Sequence, residues 1–565
     1  MAKEFICTKN EPVANTKAGK LRGFILDGIY TFHGIRYAKA ERFMPPEPVK
    51  PWKGVKDCLS YGPVSPMLRP ETAVGEVMVP HRYWVKSEDC QYLNVWSPRM
   101  DPEAKKPVMV WLHGGGYSAG SSIEQVAYDG DALARQGDVV VVSLNHRLNI
   151  LGYLDLSPYG EEFAQSANVG MLDIVEALRW IQDNIAVFGG DPDNVTLFGQ
   201  SGGGGKVTTL MQMPVADGLF HKGIIMSGIF GGPIAKMLSA QDENPVPLVD
   251  GMLAYLGLEQ SEEGARELKK VPYEKLAEAY NAVAPGIREA GGYTGQAPQQ
   301  NGDYVGDPLE VGFRDHAKQI PLITGSVIAE FAFAPGVTNK DELSEEEKTA
   351  MLEAKFGKFA PSIREEFRRI YPDKDITDVM FMDFAARPAT VEYSKVFAED
   401  AAAPVYNYLF TYNFTYNGGK PAWHCSDIPF FFHNTQLVPI CLEPGVTEDL
   451  EAAMSRSFVN FAWTGDPNDP GESESALAQL DAGAIPEWTP VTAGDTGTMV
   501  FDRSLRMTHN FDDKLYEVLL AAMMQQQEEA VGKAAEESEN EAGEVKHMEE
   551  KDEEEEEVEE NFILH

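Results

Sequence analysis

The fold centres on the stretch Val195-Thr196-Leu197-Phe198-Gly199-Gln200-Ser201-Gly202-Gly203-Gly204-Gly205-Lys206-Val207. Its apolar, β-branched start predicts a strand, and the helical spacing of the residues after the glycines predicts a helix. A serine in the tight turn between them needs glycine neighbours because its backbone is strained, and its hydroxyl then projects above the sheet edge. Ser201 is therefore the candidate nucleophile, although Gly-x-Ser-x-Gly also arises by chance in a chain with 51 glycines.

A second glycine-rich turn follows the nearly continuous apolar run Pro107-Val108-Met109-Val110-Trp111-Leu112. Such a run is typical of a strand in a sheet that is covered on both faces. The strand ends in His113-Gly114-Gly115-Gly116-Tyr117, where consecutive glycines let backbone N–H groups converge on one point. We expect this turn to supply part of an oxyanion site, the alternative being an ordinary flexible loop.

The order of the other segments predicts an α/β fold with a mostly parallel central sheet flanked by helices. A strand at 139–144, a helix at 172–188 and the strand before Ser201 predict a right-handed crossover, which makes the two strands parallel. Residues 17–70 predict an antiparallel ribbon at the sheet edge. The remaining expectations are strands at 87–96, 221–228, 320–325 and 405–412, helical insertions over the catalytic face at 233–319 and 343–402, and helices at 448–463 and 512–527.

Composition excludes several classes of function. The formal charge of -40 argues against nucleic acid and anionic membranes as partners, because phosphate binding requires clustered Lys and Arg. The start of the sequence lacks the apolar region of a signal peptide, and no apolar run has the length of a membrane span, so we expect a cytoplasmic protein. An odd number of cysteines without Cys-x-x-Cys spacing predicts neither a disulfide framework nor a zinc site. These cysteines are Cys7, Cys58, Cys90, Cys425 and Cys441.

The last 38 residues differ from the rest of the chain. Residues 528–565 hold 17 acidic and 3 basic side chains and few apolar ones. Such a segment has too little apolar surface to offset the entropy of ordering it. The sequence therefore predicts a catalytic domain over residues 1–527 followed by a disordered acidic tail over residues 528–565.

Further motifs accompany the two glycine-rich turns. They are Gly34-Ile35-Arg36-Tyr37-Ala38, the segment from Glu88-Asp89-Cys90 to Trp96, Gly189-Gly190-Asp191-Pro192, and Thr464-Gly465-Asp466-Pro467-Asn468. In this order, and together with both turns, they resemble the type-B carboxylesterase and cholinesterase family of α/β-hydrolases. The resemblance extends over nearly the whole chain up to the acidic tail, and joint occurrence of these motifs by chance is negligible. It implies an acyl-serine hydrolase with a Ser, Glu and His triad.

The resemblance also assigns the acid and the base. The family's acid position matches Glu330, six residues after Thr324, and its histidine matches His424 in Trp423-His424-Cys425-Ser426-Asp427-Ile428-Pro429. The chain order Ser201, Glu330, His424 is the nucleophile, acid, base order of this fold. An ordinary surface role for Glu330, and the neighbouring His433 as the base, are the alternatives.

In this assignment His424 takes the proton of Ser201, and Glu330 orients the imidazole and stabilises its cation. The N–H groups of Gly115, Gly116 and Gly202 bind the oxyanion. The resemblance further implies supporting roles for Ser227, which should hydrogen-bond near the acid, and for Gln200 beside the nucleophile. It also implies two buried ion pairs, Arg42 with Glu88 and Arg147 with Asp173.

The sequence departs from the family pattern at four positions. Gln200 replaces the usual Glu before the nucleophile, Gly202 replaces the usual Ala after it, and Phe331 follows the acid where glycine is common. Ser65 stands where the family has the cysteine that pairs with Cys90, which agrees with a reducing compartment. The first three departures concern the fit of the substrate more than the chemistry.

We therefore expect hydrolysis of carboxylic esters through an acyl-enzyme, with water as the second nucleophile and without a metal or cofactor. One alternative is a binding module that keeps the fold and is catalytically silent, and another is an amidase or carbamate hydrolase that uses the same site. The expected partner is a small-molecule ester. Acyl length, alcohol preference and oligomeric state leave no mark in the sequence.

Overall fold

The computed structural model describes residues 4–70, 78–231, 246–290, 292–333, 337, 339–479 and 485–526. The chain forms two compact units, Met1–Thr338 with Phe381–Asn510 and Asn339–Met380 with Phe511–His565. The predicted acidic tail at 528–565 lies outside the described residues. Within the described ranges, no helix combines the length and the apolar character that crossing a membrane requires.

A twelve-stranded sheet runs through the first unit. Seven neighbouring strands are parallel, from Val140–Leu144 to Gly497–Phe501, and antiparallel strands lie on either side of them. In spatial order the strands are Phe5–Ile6, Phe24–Leu26, Ile29–Arg36, Tyr92–Ser97, Val140–Leu144, Lys106–Leu112, Gly190–Gln200, Lys222–Met226, Leu322–Val327, Val405–Phe410, Gly497–Phe501 and Arg506–His509. The predicted antiparallel edge and parallel centre are both confirmed.

Helices cover the sheet because its central strands are apolar throughout. Residues 108–112 are fully buried, and helix Val169–Asn184 places Ile174, Leu178 and Ile181 in the same hydrophobic core as Val110. This helix connects Val140–Leu144 to Gly190–Gln200, as the sequence predicts. The first unit also contains helices Asp131–Gly137, Asn149–Tyr153, Gly202–Met211, Val246–Tyr255, Glu262–Leu268, Tyr273–Glu289, Pro308–Val311, Ala386–Asp400, Ile428–Phe431 and Thr447–Thr464.

Two sequence expectations needed adjustment. In its described part the predicted helical block at 233–319 has its long helices before residue 290, and residues 292–319 are mostly turns and irregular backbone around the short helix Pro308–Val311. The strand pair Gly497–Phe501 and Arg506–His509 was not predicted. Both strands are short, and the outer one carries a polar sequence at the edge of the sheet.

The two predicted ion pairs form, but they differ in burial. Arg147 and Asp173 are both fully buried, and Arg147 donates to the carboxylate through Nε at 2.8 Å and Nη2 at 2.7 Å. Arg42 donates to Glu88 through Nε at 2.7 Å, but the Glu88 side chain is 32% exposed, so this pair is only partly buried. Losing one partner of the buried pair would leave an uncompensated charge, which costs about 3–5 kcal/mol.

The second unit is helical. Its helices are Glu345–Phe356, Ala360–Ile370 and a helix over residues 513–526. The first helix begins with a capping box in which Ser344 and Glu347 bind each other's backbone N–H groups. Lys340 and Asp378 form a buried ion pair in the same unit.

Candidate active site

The turn at Ser201 has the strained geometry that its sequence predicts. Strand Gly190–Gln200 ends directly before it and helix Gly202–Met211 begins directly after it. The Ser201 backbone has φ 59° and ψ -129°, a conformation that residues with a side chain rarely adopt. The turn is possible because Gly203 packs against the neighbouring strand, where an added Cβ would lie 1.9 Å from the Leu112 carbonyl oxygen. The Ser201 hydroxyl is thereby held at the carboxyl end of the parallel sheet.

The glycine turn at residues 113–116 contacts the start of this helix. Gly115 and Gly116 have φ of 86° and 63°, and a Cβ on Gly202 would lie 2.2 Å from the Gly116 carbonyl oxygen. Among the described residues, the backbone N–H groups of Gly115, Gly116 and Gly202 find no hydrogen-bond acceptor. These donors belong to two backbone segments that touch beside Ser201, which is the arrangement that an oxyanion site requires.

A buried lysine anchors the glycine turn. Lys206 is fully buried in helix Gly202–Met211, and its Nζ donates to the His113 carbonyl oxygen at 2.8 Å. Burial lowers the pKa of Lys206 to about 7. The sequence analysis missed this role because the local pattern does not distinguish a buried lysine from a lysine on the helix surface.

Glu330 and His424 form a close pair. His424 Nδ1 lies 2.5 Å from Glu330 Oε2, and the His424 backbone N–H donates to the Glu330 carbonyl oxygen at 3.0 Å. The Val327 N–H donates to Glu330 Oε1 at 3.0 Å, which fixes the fully buried carboxylate just beyond strand Leu322–Val327. With the carboxylate on Nδ1, Nε2 is the ring nitrogen that can accept a proton. By contrast, His433 lies 3.6 Å from Glu451.

Gln200 lies beside the imidazole of the base. Its amide nitrogen lies 3.2 Å from His424 Nδ1 and 3.4 Å from Nε2. Two nearly equal distances show that the amide lies on the lone pair of neither ring nitrogen, since a partner there would be much farther from the other nitrogen. In the described part of the chain, Ser201 and His424 make no direct hydrogen bond. Catalytic hydrogen bonds often tighten only when substrate binds.

Cys425 holds the other end of the Gln200 amide. Its thiol donates to Gln200 Oε1 at 3.0 Å, and the Gln200 side chain is buried. Cys425 has φ 75°, which is unusual for a residue other than glycine. Burial raises the pKa of the Cys425 thiol well above its usual range, so the sulfur keeps the proton that it donates.

Two buried aspartates that the sequence analysis missed lie near the acid. Asp427 accepts a hydrogen bond from the Tyr408 hydroxyl at 2.8 Å, and Asp383 accepts three from the backbone at the start of helix Ala386–Asp400. Burial, reinforced by the charge of Glu330, raises the pKa of Asp427 to about 7 and that of Asp383 to about 6. Both carboxyl groups therefore hold their protons to higher pH than exposed aspartates do.

The predicted hydrogen bond of Ser227 is wrong for this structure. Ser227 is fully buried with φ 45°, and its N–H donates to the Gly325 carbonyl oxygen at 2.7 Å. Its hydroxyl has no hydrogen-bond partner among the described residues. The tight turn of the backbone fixes the hydroxyl where no acceptor lies within reach.

Phenylalanine rings surround His424. The ring centroids of Phe230, Phe331 and Phe333 lie 6.1, 6.5 and 6.3 Å from that of His424. Phe331, the residue that replaces the common glycine, is roughly parallel to the imidazole and is 49% exposed. This departure therefore adds an apolar wall on the base side of the site.

The comparisons with known proteins agree with this geometry. The model of the carboxylesterase family matches residues 10–519. Para-nitrobenzyl esterase of Bacillus subtilis (strain 168) is 33% identical over 472 residues, which cover 81% of this chain and 90% of the relative. Carboxylesterase 3 of Homo sapiens is 30% identical over 501 residues, with 81% and 84% covered.

Solved structures extend the match to three dimensions. An esterase from anaerobic Clostridium hathewayi, which can hydrolyse aliphatic aromatic polyesters, is 50% identical and superimposes with a TM-score of 0.87. That match covers 92% of this chain and 100% of the esterase. A thermophilic PNB esterase matches with a TM-score of 0.68 and 29% identity over 90% of this chain and 99% of its own. The chain therefore belongs to the carboxylesterase family of α/β-hydrolases, as its motifs predict, and it is a serine hydrolase that cleaves carboxylic esters.

Proposed function

We propose that Ser201, His424 and Glu330 are the catalytic triad of this esterase. The observation that supports this assignment best is the 2.5 Å contact between His424 Nδ1 and Glu330 Oε2 beside the strained serine turn. These residues come from three loops at the ends of parallel strands, so the fold and not the local sequence brings them together. Gln200 lies against the imidazole of the base and helps to position it.

In the acylation step, Ser201 Oγ attacks the ester carbonyl carbon while His424 Nε2 takes the hydroxyl proton. The carbonyl oxygen becomes an oxyanion, which the N–H groups of Gly115, Gly116 and Gly202 stabilise. His424 then protonates the departing alcohol, and the acyl group remains on Ser201. Water then repeats these steps in the second half of the reaction. It attacks the acyl carbon while His424 takes its proton, and His424 passes this proton to Ser201 Oγ as the carboxylic acid leaves.

Two substitutions test the triad. Ser201→Ala should lower kcat by roughly 10⁶-fold and Glu330→Gln by roughly 10⁴-fold, because one removes the nucleophile and the other the carboxylate that fixes the imidazole tautomer. Ser326→Ala is the matched control, since Ser326 is also buried and its hydroxyl has no described partner. Hydrolysis of p-nitrophenyl butyrate and thermal unfolding are measured for each variant. Near-normal turnover of Ser201→Ala would overturn the assignment, and a loss of under tenfold for Glu330→Gln would remove Glu330 from it.

The activity is also proposed to reside in residues 1–527. The family match ends at residue 519, and the strongly acidic composition begins at 528. A chain that ends at Gln527 should therefore keep its specific activity. Inactivation of the shortened chain would show that residues 528–565 contribute to the folded enzyme.

A cytoplasmic location is the last part of the proposal. All five cysteines are unpaired, and Cys90 is buried beside Ser65 instead of a second cysteine. Unpaired cysteines of this number are typical of reducing compartments. Fractionation of the native cells should find the esterase with cytoplasmic markers, and recovery outside the cell would contradict this.

A further inference from the structure

A cleft with a volume of about 100 Å³ opens beside Ser201. Its floor contains Ser201, Gly202 and Gly205, whereas neither His424 nor Glu330 lines it. The leaving alcohol must receive its proton from His424, so the alcohol departs on the base side. This cleft, which the base itself does not line, is therefore assigned to the acyl group.

The walls of this cleft combine apolar and hydroxyl-bearing side chains. Ile229, Phe230 and Pro298 supply apolar surface, and the hydroxyl-bearing residues are Tyr117, Thr208, Thr209, Tyr304 and Tyr393. Asp307 is the carboxylate of the cleft. An acyl chain of plain hydrocarbon would offer no partner to those polar groups that the protein itself leaves unsatisfied.

Part of this polar set is already satisfied. Thr209 donates to the Gly205 carbonyl oxygen at 2.8 Å, so the 3.0 Å contact between Tyr117 and Thr209 is donated by the tyrosine. A Cβ on Gly205 would lie 3.0 Å from the Tyr117 hydroxyl, which shows that glycine keeps this space open. Tyr117 and Thr209 therefore form a fixed wall, and both of their hydroxyl protons are donated to acceptors within the protein.

Tyr393 and Asp307 are not satisfied in this way. The Tyr393 side chain is 98% buried, and its hydroxyl has no hydrogen-bond partner among the described residues. Asp307 Oδ1 accepts from the Leu309 N–H at 2.9 Å, but the carboxylate forms no ion pair within the described chain. Both residues line the cleft, and the charge of Asp307 acts together with burial to raise the pKa of Tyr393. The cleft thus contains an unused hydroxyl donor and a carboxylate with remaining acceptor capacity.

On the basis of the proposed function, we propose that this cleft selects acyl groups that carry a hydroxyl at their far end, with Asp307 accepting its proton and Tyr393 donating to its oxygen. A hydroxyl is both donor and acceptor, so it satisfies both protein groups at once. An ammonium group has no lone pair for Tyr393, and a carboxylate is repelled by Asp307. A plain hydrocarbon acyl group also binds less favourably, because it leaves these buried polar groups without a hydrogen-bond partner.

Matched esters with one leaving group test this selectivity. The p-nitrophenyl esters of 3-(4-hydroxyphenyl)propanoic acid and 3-phenylpropanoic acid differ only at the far end, and two methylenes and the phenyl ring separate that hydroxyl from the reacting carbonyl. We expect kcat/KM to favour the hydroxylated ester by about tenfold in the wild type, as one hydrogen bond to a charged group provides. The 4-carboxyphenyl analogue should react more slowly than either ester.

Three variants complete the test. Tyr393→Phe and Asp307→Asn should each reduce the ratio of the two kcat/KM values to about threefold or less. Tyr153→Phe is the matched control, because Tyr153 is a buried tyrosine whose hydroxyl also has no described partner but which does not line the cleft. A wild-type ratio near one, or a ratio that survives in both cleft variants, would overturn the inference. If the wild type hydrolysed neither ester, or if Ser201→Ala still hydrolysed them, the proposed function would be overturned, and the acyl site with it.

Discussion

The two sides of Ser201 are built by different physical means. On the oxyanion side, two backbone segments approach so closely that Gly202 has no room for a single added carbon. On the base side, side chains from distant segments meet, and burial raises the pKa values of Asp383 and Asp427 near Glu330. The oxyanion side should therefore be sensitive to volume, and the base side to charge.

Gly202→Ala introduces the residue that the family usually has at this position, and it has the largest expected effect of the substitutions that compare the two sides. The new Cβ would lie 2.2 Å from the Gly116 carbonyl oxygen, so the loop or the helix must shift and an oxyanion donor moves. Removing one such donor lowers kcat by about 10²–10³-fold. The matched control is Gly286→Ala, where a Cβ meets nothing within 4 Å. Steady-state kinetics of both variants measure the effect, and a loss below tenfold for Gly202→Ala would contradict the volume argument.

The same contrast explains what the sequence could reveal about the site. Glycine runs after apolar strands are local patterns, so Ser201 and the loop at 113–116 were predictable from the residues themselves. Glu330 and His424 emerged only through the family resemblance, because their pairing depends on the whole sheet. Asp383 and Asp427 were missed, since nothing in the local sequence shows that an aspartate will be buried.

The fold follows the same rule. Buried apolar strands such as Val140–Leu144 were predicted to within a few residues, because their hydrophobic run is uninterrupted. The edge strand Arg506–His509 was missed because its residues are polar or half-exposed, and its pairing with Gly497–Phe501 determines its conformation. The hydrogen bond predicted for Ser227 failed for a related reason, as the position of a hydroxyl depends on backbone angles that the sequence does not specify.

Asp427→Asn tests the charge argument on the base side. The folded protein holds the Asp427 proton up to about pH 7, whereas an unfolded carboxyl group loses it near pH 4. Between these values the folded state binds more protons, so the wild-type free energy of unfolding falls as pH rises. Asparagine cannot ionise but can still accept from Tyr408, so the variant should lack this decline and gain about 4 kcal/mol relative to the wild type between pH 4 and pH 8.

Urea unfolding at pH 4, 6 and 8 measures this difference. Asp373→Asn is the matched control, since Asp373 is exposed and its replacement should leave the pH dependence unchanged. A constant difference between Asp427→Asn and the wild type at all three pH values would show that Asp427 does not titrate within the folded protein over this range.

The smallest expected effect concerns a cation on the alcohol, which would lie on the base side. Recognition of a quaternary ammonium group requires aromatic faces and is strengthened by a nearby carboxylate. Gln200 supplies an amide beside His424 where the family usually has a carboxylate, and Glu330 is already engaged by the imidazole. Phe331 and Phe333 offer ring surface, but they are 49% and 56% exposed, and a cation on an exposed ring gains only about 0.5–1 kcal/mol.

This gain is below the 1.4 kcal/mol that a tenfold preference requires. The net charge of -40 attracts cations at long range, but salt screens that attraction within about 8 Å, so it changes encounter more than fit. We therefore expect kcat/KM for a choline ester to exceed that for the neutral 3,3-dimethylbutyl ester by less than tenfold at physiological ionic strength. Gln200→Glu should increase this ratio, because it places a carboxylate next to the leaving alcohol. A wild-type preference above tenfold, or a ratio that does not change in Gln200→Glu, would show that the residue at position 200 does not determine the preference for a charged alcohol.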